Sequence, residues 1–183
     1  MMIADGFETL NQIIKKEREA GKRIVLTQGS FDMVHIGHAR YLQKAKEHGD
    51  FLVVGTDSDD KIRKRKGPDR PVVPQEERME MLTHIKWVDL VILKSVEAPR
   101  WELIKVLKPD VLIAVEGTYT DEEIGQLREF CGQVTILERQ ATTSTSAKIR
   151  NLQIGLANKL SNALTPKILE TIEVVFGEVK NGK

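Results

Sequence analysis

The chain has 183 residues, 40% of them hydrophobic and 30% charged, which is enough apolar material for one main domain with its own core. With 28 Lys and Arg against 27 Asp and Glu, no global field draws nucleic acid or an anionic membrane, so any anion site must be local. The single cysteine, Cys131, excludes an intramolecular disulfide and a multi-cysteine metal site within one chain; nothing reads as a signal sequence or approaches the roughly 20 apolar residues of a spanning helix, so a soluble, cytoplasmic protein is expected.

Phe7, Leu10, Ile13 and Ile14 recur at helical spacing before Ala20-Gly21, which predicts an amphipathic helix over residues 1–21 that precedes the core. Four short apolar runs then read as buried parallel strands: Ile24-Val25-Leu26, Phe51-Leu52-Val53-Val54, Leu90-Val91-Ile92-Leu93 and Val111-Leu112-Ile113-Ala114-Val115. Val134-Thr135-Ile136-Leu137 is a fifth. Helical patterns separate them, from Ile36 to His48, Gln75 to His84, Pro99 to Leu107 and Asp121 to Phe130. Strict alternation of strand and helix predicts an α/β domain over 22–152, a Rossmann-like, doubly wound, five-stranded parallel sheet with helices on both faces. Asp57 to Arg70 reads as the one long loop inside it. A helical tail is expected over 153–183, its helix opened by Thr165-Pro166 and closed by Gly177.

Ligands of open α/β sheets bind at the carboxyl ends of the strands, and the first strand of the domain runs into Gly29, Ser30, Phe31 and Asp32. Gly29 removes a side chain where phosphate approaches the backbone, and the helix starting near Ile36 or Gly37 offers free N–H groups and a positive dipole end. His35 and His38 flank that start, three residues apart, with Gly37 leaving room between them. Both rings suit phosphate oxygens; the alternative is that such histidines only cap the helix or sit satisfied in the core. In the basic stretch from Lys61 to Pro71, Lys64 and Lys66 are the candidates to swing over a triphosphate and neutralise charge on leaving pyrophosphate, the other residues being a solvated run. Lys46 is a further catalytic candidate that equally suits the solvated face of its helix.

The string from Gly29 to His38 resembles the signature of the nucleotidyltransferase superfamily with the HIGH motif, which includes cytidylyltransferases. From Gly21 to about Leu152 the chain is similar to the adenylyltransferase domain of the bifunctional heptose-phosphate kinase/adenylyltransferases that make ADP-heptose, in stretches such as Lys66-Gly67-Pro68-Asp69-Arg70-Pro71-Val72 and Leu107-Lys108-Pro109-Asp110-Val111-Leu112. The resemblance implies nucleotidyl transfer from ATP or CTP to a phosphorylated acceptor of the heptose 1-phosphate type, pyrophosphate as product, and a homodimer. It implies Mg2+ as cofactor, held mainly by the NTP rather than by a protein metal site, with Asp32 near it or capping the loop. By the same resemblance Arg78 lies at the nucleotide, Arg139 is a basic contact, and Thr143, Ser144, Thr145 and Ser146 bind the triphosphate, where Ser and Thr otherwise serve as N-caps. At the end of the fourth strand the heptose enzymes usually carry Val-Lys-Gly-Gly-Asp-Tyr, whereas Glu116, Gly117, Thr118 and Tyr119 stand here, so the acceptor or base region has exchanged a lysine for a glutamate. Other readings are a cytidylyltransferase for a small polyol phosphate, amino-alcohol phosphate or phosphonate, and a non-catalytic nucleotide-binding sensor.

Overall fold

The computed structural model describes residues 2–138, 140 and 145–180. They fall into two compact units, Met1–Thr142 and Thr143–Lys183. The first is a six-stranded, wholly parallel sheet in the order β1-β4-β3-β2-β5-β6, with β1 Met2–Ala4, β2 Ile24–Gly29, β3 Phe51–Asp57, β4 Leu90–Lys94, β5 Val111–Val115 and β6 Gln133–Leu137. The expected doubly wound α/β fold is present, with one strand more than expected. The extra strand, β1, pairs its three residues with Leu90, Val91 and Ile92 of β4. Three residues are too few for any periodicity to register, and only the partner strand defines them as a strand.

Each strand turns alternate side chains to opposite faces, and both faces are covered. Ile24, Leu26, Val53, Ile92 and Leu112 form one core with Leu10 and Ile14 of α1 (Gly6–Glu19), Leu103 to Leu107 of α5 (Glu102–Leu107) and Leu127 of α6 (Asp121–Leu127). Val25, Leu52, Val54, Val91 and Ile113 form the other with Tyr41, Leu42 and Ala45 of α2 (Ile36–Lys46) and Leu82 of α4 (Gln75–Thr83). The N-terminal helix thus helps to build the core instead of preceding it: Leu10 is wholly buried, and the Arg18 guanidinium donates to the carbonyls of Leu107 and Lys108 at the end of α5.

Two further expectations are corrected. The supposed long loop contains a helix, α3 (Asp59–Lys66), started by Ser58, whose hydroxyl accepts from the Lys61 amide, and seated by the wholly buried Ile62. Its polarity hid it, since one buried residue in two turns leaves no apolar stripe. In the second unit, α7 runs unbroken from Thr145 to Lys180 with Pro166 inside it, rather than starting at Thr165-Pro166. Proline removes only one N–H, and good helix formers on either side carry the helix across it. Among the described residues no helix is long and apolar enough to cross a membrane.

Candidate active site

The sheet order reverses at β2 and β5: β2 leads to β3 on one side, while β5 pairs on its other. Their pairing ends at Thr27 and Ile113, and there the Tyr41 phenol sits 2.6 Å from the Thr27 hydroxyl and donates to the Ile113 carbonyl. Burial pushes this phenol up to about 12, so it stays a neutral hydrogen-bonding group across the physiological range. Beyond this stitch the strands part, opening the crevice where such sheets take ligands.

The turn from Gly29 to His35 crosses that opening. Phe31 (φ 47°) and Met33 (φ 49°) both adopt the left-handed region, a conformation that costs energy for a side chain with a Cβ and is held here by surrounding contacts. A Cβ on Gly29 would come within 3.1 Å of the Phe31 ring, so glycine lets that ring tuck beneath the turn. Phe31 itself is 4% exposed, its ring centroid 5.7 Å from that of His38. Its side chain is therefore core and support for His38, which leaves the backbone of the turn as the part of Phe31 that faces the crevice's expected ligand.

His35 and His38 are brought together, ring centroids 4.2 Å apart. The Gly37 amide donates to His35 Nδ1 (3.1 Å) and the His35 amide donates to His38 Nδ1 (3.3 Å), a reciprocal cap on α2. These bonds use each Nδ1 as the acceptor, which places the ring N–H donor at Nε2. Gly37 is buried at the head of the helix.

The other expected residues divide. Asp32 is 3% exposed; its carboxylate pairs with Arg70 (2.6 Å) and accepts from the amides of Val72 and Val73, tying the turn to the segment after α3. Ser30 is nearly buried and its hydroxyl accepts from Arg65 of α3. Arg78 corrects the expectation of a nucleotide contact. It is 1% exposed, and its five N–H groups go to the Val73 carbonyl, the Ser30 carbonyl, the Thr56 hydroxyl, the Asp57 carbonyl and the Asp59 carboxylate, which leaves no donor for a ligand. Lys46 is also corrected. It lies at the far end of α2, about 15 Å along the axis from its start, and binds Asp89 and the Asp50 carbonyl beside the amino ends of β3 and β4. Lys64 and Lys66 are exposed on α3, and Lys66 is held below the usual lysine range by desolvation, then by the neighbouring Arg65 and Arg70. Glu116, Gly117 and Thr118 make an exposed turn after β5. Thr145 and Ser146 open α7 in the second unit; their side chains, with Arg139, Thr143 and Ser144, lie outside the described residues.

Sequence reading missed a cavity of about 500 Å³ at the carboxyl ends of β2 and β4. Gln28, Lys94, Trp101 and Tyr119 line it together with Lys61, Lys64 and Arg65 of α3. Beside it Asp57, 1% exposed, takes ion pairs from Arg65 (2.9 Å) and Lys94 (3.1 Å). Burial pushes the Lys94 ammonium down, against the pull of Asp57. Lys94 and Asp57 end strands that read as purely structural, and only the helical spacing of Lys61, Lys64 and Arg65, once α3 is recognised, gave a signal.

Residues 26–165 match the cytidylyltransferase-like family, 140 of the 183 positions. The chain belongs to the cytidylyltransferase-like family. The nucleotidyltransferase reading of the chain is met at that level. This family member is 40% identical over 147 residues to the bifunctional protein HldE of a Nitratiruptor species, an alignment covering 79% of this chain and 31% of the relative. HldE of Sulfurimonas denitrificans is 39% identical over 147 residues, 79% and 30% of the two chains. The chain therefore spans under a third of the length of these relatives. Among solved structures, the lipopolysaccharide core biosynthesis protein from Thermoplasma volcanium superposes with a TM-score of 0.56 at 28% identity, over 65% of this chain and 97% of that one. Pantoate-beta-alanine ligase from Francisella tularensis superposes at 0.62 over 90% of this chain and 79% of its own; at 18% identity it shares the fold.

Proposed function

We propose that the chain transfers a nucleotidyl group from ATP or CTP to a sugar phosphate of the heptose 1-phosphate type and releases pyrophosphate. The observation that carries this reading is the pair of reciprocally capped histidines at the point where the sheet reverses, in a chain of this family. The similarity to HldE, which covers only part of those bifunctional proteins, supports the sugar phosphate as acceptor.

In this mechanism an acceptor phosphate oxygen attacks the α-phosphorus in line. The new P–O bond forms as the bond to pyrophosphate breaks, and pyrophosphate carries away the electron pair. The acceptor is already an anion, so no strong base is required; alignment and charge dispersal remain. His35 and His38 donate from Nε2 to phosphate oxygens, and Lys64 and Lys66 of α3 neutralise the departing charge. Mg2+, held mainly by the triphosphate, would offset phosphate charge. Asp32, the carboxylate of the turn, is already held by Arg70 and two amides, and among the described residues no group of three or more His, Cys, Asp or Glu side chains is placed to hold a metal. The resemblance also implies a homodimer.

The test crosses ATP, CTP, GTP and UTP with sugar phosphates and polyol phosphates and measures pyrophosphate. Turnover is expected with a sugar 1-phosphate, and His35→Ala with His38→Ala should reduce it by a factor of at least about 100 while circular dichroism stays unchanged. Full turnover in that double variant would falsify the mechanism.

A further inference from the structure

With Lys64 assigned to the triphosphate, the cavity beside the turn keeps one cation, Lys61, that neither a carboxylate among the described residues nor the nucleotide answers. Lys61, Lys64 and Arg65 occupy positions i, i+3 and i+4 of α3, so three like charges share one helix face, an arrangement that is unfavourable unless something opposes it. The acids of the same helix do not oppose it: Asp59 and Asp60 pair with Arg63, and Asp59 also with Arg78. Lys94 and Arg100 add two further cations to the lining. Carboxylates answer only some of them. Asp57 pairs with Arg65 and Lys94, and Glu123 with Arg100. Glu102 lines the cavity, yet Lys61 and Lys64 have no ion pair to a carboxylate among the described residues. Lys61 reaches instead to the Ser95 carbonyl (3.0 Å), at the end of the cavity defined by the segment after β4.

The two ends of the cavity are thus distinct. At one, Arg65 bonds the Ser30 hydroxyl of the nucleotide turn while lining the cavity, which joins the two spaces through a single guanidinium. Roughly one helical turn away, about 6 Å along α3, stands Lys61. The same cavity is lined by Trp101, with the Arg100 guanidinium 4.3 Å from its ring centre, and by the half-buried Tyr119, flat walls suited to a sugar ring.

We propose that this cavity is the acceptor subsite and that it selects sugar phosphates bearing a second anionic group, a carboxylate or another phosphate, distal to the reacting phosphate. The reacting phosphate lies at the Arg65 end, and Lys61 holds the distal anion. This proposal rests on the nucleotidyl-transfer reading for its assignment of the reacting end, but the preference for two anions is measurable without turnover.

Titration calorimetry of the full chain with glucose 1-phosphate and glucose 1,6-bisphosphate tests the preference, and pyrophosphate release with ATP or CTP in parallel samples tests transfer. The bisphosphate should bind at least about tenfold more tightly, and Lys61→Gln should remove most of that advantage while leaving glucose 1-phosphate and nucleotide binding within about twofold. Glucuronic acid 1-phosphate should show the same dependence on Lys61. Equal binding of the two glucose phosphates, or a Lys61→Gln loss shared equally by both, overturns the proposal. A retained bisphosphate preference, with no pyrophosphate from any sugar phosphate of the wider acceptor panel, instead refutes the transfer reading and leaves the two-anion site standing. Pyrophosphate release without the preference does the reverse.

Discussion

At the scale of single residues, the site is held by side chains that never need to meet a substrate. Arg78 is the clearest. Replacing it by Met leaves Asp59 and four other acceptors without their buried donors, which is expected to lower unfolding free energy by about 3–5 kcal/mol in urea titration. A variant with the wild-type midpoint would show that these bonds contribute nothing. Sequence reading placed an arginine here correctly but gave it the wrong task, because a buried pin and a phosphate contact use the same residue type. Lys66 allows a different measurement. Its ammonium is shifted below the usual lysine range in the free protein, and a bound triphosphate favours the charged form and raises it again. Nucleotide affinity should therefore be fully present at pH values below the lowered value and decline as pH rises through it, earlier than an ordinary lysine near 10.5 would allow. Lys66→Arg, which keeps its charge, should flatten that decline in a pH series of binding titrations; an unaltered decline removes Lys66 from the nucleotide site.

At the scale of elements, legibility followed apolar content. The five longer strands and α2, α4 and α6 were visible because two buried faces leave continuous apolar runs and regular spacing. Both β1 and α3 were not, one for its brevity and the other for its polarity, and α3 carries three of the cations of the cavity. That is why the cavity escaped a reading that found the histidines. The opening segment has an element-scale test. Deleting residues 1–19 uncovers the β4 edge and removes the buried Leu10 and Ile14, at a cost of about 3–6 kcal/mol for those two side chains alone. The shortened chain should melt far earlier by calorimetry and bind a hydrophobic dye; an unchanged melting point would restore the expectation of a helix that merely precedes the core.

At the scale of the whole molecule, the candidate site depends on one strand ending in Gly29 at the reversal of a doubly wound sheet, a feature legible in the sequence. What that strand end touches was not readable, because Ser30, Asp57, Lys94 and Arg78 meet only through pairings far apart in sequence. The bonds of Arg78 join the ends of β2 and β3, the start of α3 and the loop before α4 into one body. The basic segment is consequently anchored at both of its ends. Its conformational entropy is surrendered during folding, before any nucleotide arrives, so association there has little ordering left to oppose it and is governed by how readily water leaves the phosphates and the cations.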